Sequence, residues 1–295
     1  MNHKAVDIQN ITSDWLRDKQ VALDILRLDK LHAVVSGNKW FKLKYHLQEA
    51  AETGKQTIVT FGGAYSNHIV AVAFASKEAG FQSLGIIRGE KPTLLSETLL
   101  NAEKYGMKLQ FVSREEYRQK TDLINRFENE KFYWINEGGF SKLGAKGAAE
   151  IAKEYDPSNY HYIIAAVGTG TMLAGLITSA KPAQKVIGIS AMKGNDALAA
   201  EIISLTGEHK ASNFELFHDY HFGGFGKHPA ALINFINETY LQHQLPLDIV
   251  YTGKTFFAIR DLVEKSFFKA GDKLIMIHSG GLQGNSSLPQ KVLAF

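Results

Sequence analysis

Short apolar runs alternate with amphipathic stretches along most of this chain, and glycine closes many of the stretches. Apolar or alternating runs at residues 21–29, 57–61, 84–88, 108–113, 132–136, 162–167, 186–191 and 273–278, with a further one near Phe214, predict strands. Between them, periodic stretches at 39–53, 66–79, 94–105, 115–128, 143–155, 172–180, 196–206, 229–243 and 254–269 predict helices. Gly54, Gly80 and Gly106 close the first three. Strand and helix in regular exchange is the signature of a parallel α/β architecture. No internal repeat, low-complexity tract or proline-rich linker divides the chain, so two domains, which the length of 295 residues suggests, must be interwoven. In open α/β sheets ligands bind at strand C-termini. The glycine-rich corners of this chain fall there.

The first candidate for chemistry is Ser36-Gly37-Asn38-Lys39-Trp40-Phe41-Lys42-Leu43. Gly37 and Asn38 read as a turn, with Asn38 able to cap a helix beginning near Lys39. A lysine in a first helical turn faces the positive end of the macrodipole. One reason to place it there is to lower its proton affinity, so that the neutral amine can form a Schiff base. Lys42, one turn on, could supply charge for an anion. A solvated basic helix start is the plain alternative.

Two further corners suit anions. Gly62-Gly63-Ala64-Tyr65-Ser66-Asn67-His68 joins a strand to a helix, where Ser66, Asn67 and the amides behind them can hold a carboxylate or phosphate. The alternative is an ordinary helix cap. Val167-Gly168-Thr169-Gly170-Thr171 has the same setting. It is not a dinucleotide fingerprint, because the third residue after Gly170 is Leu173. Gly253-Lys254-Thr255 imitates the end of a Walker A loop, but position 248 holds Asp248 where that loop needs glycine. His218 and His221 form a close pair with no further ligands, which reads as a hydrogen-bonded loop, not a metal site.

Composition narrows the classes. Lys plus Arg is 33 against 30 acidic residues, too even for a nucleic-acid or membrane surface. Cysteine is absent, which removes disulfides, thiolate metal sites and a cysteine nucleophile together. The first seven residues have no apolar run after their charge, so no signal peptide is expected. The uncharged stretch 162–180 approaches the length of a membrane span, but its central Gly-Thr-Gly-Thr reads better as buried strand, turn and helix. A soluble, cytoplasmic protein is expected.

Taken in order, these motifs resemble the 1-aminocyclopropane-1-carboxylate (ACC) deaminase and D-cysteine desulfhydrase family. The lysine segment is similar to its G-G-N-K-x-R-K-L motif, and Gly62 to Asn67 to its G-G-x-x-S-N. Glu137-Gly138-Gly139, the turn 168–171, Tyr251-Thr252-Gly253-Lys254 and His278-Ser279-Gly280-Gly281 follow in the family's sequence. The resemblance runs from about residue 21 onward. It implies a fold-type II enzyme that uses pyridoxal 5'-phosphate, with a larger domain (residues 1–46 and 148–295), an inserted smaller one (47–147) and a homodimeric assembly. It implies that Lys39 binds the cofactor covalently and moves the substrate proton. Lys42 and Gly168, Thr169, Gly170 and Thr171 would hold the phosphate, and Asn67 the ring hydroxyl. Ser66, Asn67 and His68 would bind the substrate carboxylate, with Ser66 sharing in proton transfer. Tyr251 would lie near the leaving group, and Thr252 and Ser279 near the pyridine nitrogen. No metal is implied.

The chain also departs from the family. ACC deaminases carry glutamate where Thr252 stands, and a hydroxyl leaves the cofactor a weaker electron sink. That favours β-elimination of a good leaving group, as from D-cysteine, over opening of a cyclopropane. Phe225 stands where a second active-site tyrosine is usual, and Phe41 replaces an arginine. The expected activity is deamination of a small amino acid by β-elimination. ACC deamination is the alternative within the family, and cofactor binding with little catalysis the alternative outside it.

Overall fold

The computed structural model describes residues 6–32, 34–206 and 213–295; residues 1–5, part of the stretch read for a targeting signal, lie outside them. The chain opens with strand β1 (Ile8–Ile11), helix α1 (Asp14–Arg17), strand β2 (Ala22–Leu26) and helix α2 (Asn38–Glu52). A run of alternating elements follows: β3 (Thr57–Gly62), α3 (Asn67–Glu78), β4 (Gln82–Arg88), α4 (Glu97–Lys104), β5 (Met107–Val112), α5 (Arg114–Arg118), α6 (Lys120–Arg126) and β6 (Phe132–Ile135). The remainder holds α7 (Lys142–Ala149), β7 (Tyr162–Val167), α8 (Thr171–Ser179), β8 (Lys185–Ser190), α9 (Leu198–Thr206), β9 (Phe214–Phe217), α10 (Ala230–His243), α11 (Thr252–Glu264) and β10 (Lys273–Ile277).

Two sheets result. The larger has the order β1-β2-β10-β7-β8-β9 and the smaller β5-β4-β3-β6. Every pairing is parallel except β1 with β2. Parallel strands buried on both faces need near-continuous apolar residues, and β7, reading YIIAAV, is buried from its second residue to its last. The smaller sheet is built wholly from residues 57–135, so the chain leaves the larger sheet after β2 and returns to it at β7. We propose that the domain division runs through α2 and α7, at residues 46–47 and 147–148. Those helices pack against each other, and a Cβ at Gly147 would lie 2.1 Å from the Phe41 carbonyl oxygen.

Several boundaries differ from the sequence pattern for local reasons. The helix expected over 94–105 starts at Glu97, where the Ser96 hydroxyl accepts the Leu99 amide. The helix expected over 115–128 is two, broken at Gln119 (ψ 61°). The last helix ends at Glu264 because Ser266 takes a left-handed φ of 58°. Strand β1, short and partly exposed, carries no alternation for sequence reasoning to detect. No helix among the described residues is long and apolar enough to cross a membrane; β7, the turn 168–170 and α8 divide the stretch 162–180.

Candidate active site between the two sheets

The lysine segment is positioned by a close backbone crossing. Gly37 has φ +68°, and a Cβ there would lie 1.7 Å from the Ser279 carbonyl oxygen, so only glycine fits. The Asn38 amide donates to that same oxygen at 3.1 Å. The end of β10 and the start of α2 are thus locked together. Gly37, not Asn38, is the cap residue, and no side chain caps this helix. The Asn38 side chain is occupied elsewhere: its Oδ1 accepts from Lys39 Nζ at 2.9 Å, and its amide nitrogen points at Met172 Sδ. Beneath the crossing, Arg27 holds Asp29 through two hydrogen bonds of 2.8 and 2.6 Å, and buried His278 donates from Nε2 to Pro246 O at 2.7 Å.

Lys39 and Lys42 face one cavity with Ser36, Asn38, Asn67, Gly138, Tyr251, Ser279, Gly280, Gly281 and the turn 168–170. Burial lowers the Lys39 amine to about 8, against an opposing pull from the Asp248 carboxylate. Lys42 is driven well below its ordinary value, first by burial and then by the charge of Lys39; its amine donates to Gly138 O at 3.2 Å. Two amines poised to be neutral or charged, with no carboxylate among the residues lining the cavity, make a site for an anion.

The anion cradle is the turn between β7 and α8. Gly170 takes φ +75° at the cap position, leaving the first amides of α8 without intrahelical partners, aimed along a positive helix end. The Thr169 and Thr171 hydroxyls lie 3.0 Å apart. Thr171 is fully buried and, unlike Gly168, Thr169 and Gly170, is not part of the cavity wall.

At the start of α3, Ser66 is the cap residue, yet its hydroxyl makes no capping bond. Asn67 donates to Gly281 O at 2.7 Å while its own Oδ1 is buried without a partner. His68 is buried with Nε2 2.9 Å from the Thr60 hydroxyl and Nδ1 unpartnered. Burial, then the charges of Lys39, Lys42 and His46, pushes it well below the usual histidine value, so its ring is neutral. Burial raises the Tyr251 phenol, as do the Asp248 and Glu137 charges, and keeps it protonated.

Thr252 stands apart from this group. It is fully buried, its hydroxyl donates to Asp248 Oδ2 at 2.6 Å and accepts from the Asp248 amide at 2.7 Å, and it does not reach the cavity. Ser66 and His68 also lie outside the wall, whereas Ser279 is part of it. Asp248, which the sequence entered only as a mismatch to a nucleotide loop, organises this corner. Its carboxylate accepts from the amides of Val250, Tyr251 and Thr252 at 2.8, 2.7 and 2.9 Å as well as from the Thr252 hydroxyl. An aspartate three residues before Tyr251 and four before the helix is a legible Asx pattern that could have exposed it.

Buried unpartnered Asn67 Oδ1, the enclosed amine pair and the open amides of α8 form a donor and acceptor set that fits a phosphorylated, hydroxylated aromatic aldehyde. Comparison with known proteins agrees. The pyridoxal-phosphate dependent enzyme family profile matches residues 19–280. A Pyrococcus furiosus relative bearing a provisional ACC deaminase name is 30% identical, over 94% of this chain and 90% of its own. A mitochondrial protein of Arabidopsis thaliana named bifunctional D-cysteine desulfhydrase/ACC deaminase is 28% identical, over 85% of this chain and 70% of its own. The crystal structure of an ACC deaminase homologue superposes with a TM-score of 0.82 at 26% identity, covering 96% of this chain and 91% of that one.

Proposed function

We propose, from the premise that the chain belongs to the pyridoxal-phosphate dependent enzyme family, that it deaminates a small β-substituted amino acid by elimination, with D-cysteine the leading substrate. Pyridoxal phosphate, once bound, supplies an electron-withdrawing ring that makes the α-proton of an attached amino acid acidic. The observation that carries the choice of substrate is the absence of a carboxylate among the residues lining the cavity. Of the two residues that the resemblance places at the ring nitrogen, only Ser279 lines the cavity, because the Thr252 hydroxyl is bonded to Asp248, whose oxygens already take four donors. An electron sink without an anionic partner suits a bond that breaks readily. A carbon–sulfur bond whose electron pair leaves on sulfur meets that condition better than a cyclopropane carbon–carbon bond.

The chain's own groups then divide the work. Lys39, its amine lowered to about 8, takes the α-proton at Nζ from its neutral form. Lys42 and the amides of Gly168 to Thr171 hold the phosphate, and Asn67 orients the ring hydroxyl. The Ser66 hydroxyl, free of capping duty, and the amides of Asn67 and His68 hold the substrate carboxylate. Tyr251, kept protonated, donates a hydrogen bond to the departing sulfur. Water converts the released enamine to pyruvate and ammonia, so D-cysteine and one water give pyruvate, ammonia and hydrogen sulfide. Assembly as a homodimer is part of the proposal and rests on the family resemblance.

The test is product analysis on purified protein loaded with pyridoxal phosphate and given D-cysteine, L-cysteine or ACC. Sulfide and pyruvate formed from D-cysteine are the expected result. Formation of 2-oxobutyrate from ACC with D-cysteine untouched would overturn the electron-sink argument in favour of ACC deamination. Bleaching or shifting of the visible cofactor band by none of the three would leave a binding protein with little catalysis.

A further inference from the structure

The segment 219–226 lies along one stripe of α11 as a strap. Residues 251, 254, 257 and 261 recur at helical spacing on one face, and each is engaged by the segment. Asp261 Oδ2 accepts from the Tyr220 hydroxyl at 2.6 Å. The Phe257 ring meets that of Phe222 edge-on at 4.9 Å. Lys254 Nζ donates to His221 O and Gly224 O, both at 2.9 Å. Finally Tyr251, at the cap position, takes the ring of Phe225 at 5.9 Å and 70°. Going up the helix toward its N-terminus, the strap runs down its own sequence toward Phe225, and it ends on the tyrosine that borders the cavity.

Lys254 is the unusual member. It is 1% exposed, and a buried ammonium is costly where an apolar side chain would pack. Its two charge-assisted hydrogen bonds are both spent on strap backbone. That backbone needs holding. Phe222 has φ 53°, and Gly223, Gly224 and Gly226 have φ 95°, 126° and 71°, a run of left-handed and glycine-only conformations with little preference of its own. Phe225 keeps 52% of its surface in solvent, so burial of its own ring does not fix it.

We propose that the strap is a clamp for Tyr251, in which Lys254 is a positioning residue that sets the strap and Phe225 the outer leaf that keeps the Tyr251 ring over the cavity. The kinetic part rests on the role given to Tyr251 above; the structural part does not. The experiment uses the cofactor-loaded protein and the variants Lys254→Met, Phe225→Ala and the two combined. Hydrogen exchange followed by mass spectrometry should show peptides covering 218–227 exchanging at least tenfold faster in Lys254→Met, with those covering 162–167 and 273–277 unchanged. Tyr220→Phe, which removes only the link to Asp261, should speed the same peptide several-fold, and it decides the matter if Lys254→Met does not fold. With D-cysteine, each single variant should lose about tenfold in kcat/KM, mostly through kcat because the Tyr251 hydrogen bond forms as sulfur departs, and the double variant should lose no more than the worse single. Unchanged exchange at 218–227, acceleration spreading through both sheets, or losses that multiply in the double variant would each overturn the clamp. If the unsubstituted protein ignores D-cysteine, the functional reading fails, and the exchange measurement alone judges the strap.

Discussion

The pH dependence of cofactor capture tests the depressed amine of Lys39 directly. Its capture by an aldehyde requires the neutral form. With its amine lowered to about 8, about one-tenth of Lys39 is neutral at pH 7. An ordinary lysine near 10.4 would be neutral in about one molecule in 2,500, so burial increases the reactive population about 200-fold. Mixing cofactor-free protein with pyridoxal phosphate in a stopped-flow spectrometer should give a capture rate that climbs about tenfold from pH 7 to 9 and then levels. A small free amine run in parallel corrects for titration of the cofactor itself. Asp248→Asn removes the carboxylate that opposes the shift, so in that variant the midpoint should move to lower pH. A rate that keeps rising with unit logarithmic slope past pH 9.5 would show that Lys39 behaves as a solvated lysine, and the argument from burial would fall.

Other consequences can be checked in the same preparations. The Lys39 shift also makes the cofactor-free fold pH-sensitive. Between about 8 and 10.5 the folded chain binds fewer protons than the unfolded one, so stability rises with pH in that window. The gain from pH 7.5 to 9.5 should be about 2 kcal/mol at about 1.4 kcal/mol per tenfold change in proton affinity, and urea melts that show no less of it in Lys39→Met would contradict this. Gly37→Ala places a methyl group 1.7 Å from the Ser279 carbonyl and demands φ +68° of alanine; a loss above about 3 kcal/mol is expected, and a melting temperature within a few degrees of the parent would refute the crossing. Thr252→Val removes a hydroxyl that both donates and accepts beside Asp248. It should cost about 1–3 kcal/mol of stability while kcat/KM for D-cysteine stays within about twofold, and a large kinetic loss without unfolding would put Thr252 back in the site.

Much of this site was legible in the sequence because glycine and lysine carry strong local meaning. The turn 168–171 and the segment 36–43 stood out through their glycines and lysines, and Gly168, Thr169 and Gly170 of the one and Ser36, Asn38, Lys39 and Lys42 of the other line the cavity. The alternation of strands and helices pointed to the parallel strands of both sheets, though not to the antiparallel edge strand β1. What stayed hidden depends on pairing across the chain. Whether Thr252 points at a cofactor or at Asp248 is a rotamer choice set by four donors converging on one carboxylate, and no periodicity records it. The capping role of Gly37 is fixed by Ser279, more than two hundred residues away. Lys254 looked like a fragment of a nucleotide loop because its partners, two backbone carbonyls, have no sequence identity at all.

The charge inventory explains why this fold tolerates such a site. Lys39, Lys42 and His68 are brought together without a carboxylate in the cavity wall, and all three are pushed toward neutrality. A cavity of this kind sacrifices stability when empty, because each buried amine must either lose its proton or remain charged in a poor solvent. A phosphate dianion reverses the balance, since it favours the charged form of Lys42 that the empty cavity disfavours. Affinity for the cofactor and strain in the cofactor-free chain then have one origin. Asp248 mediates between them. It sits close enough to temper Lys39, yet its oxygens are tied to the start of α11, the helix that carries Tyr251 and anchors the strap. One buried carboxylate therefore links the reactivity of the lysine to the placement of the tyrosine. That is why substitution at Asp248 should disturb both, although the residue lines neither the cavity nor the strap.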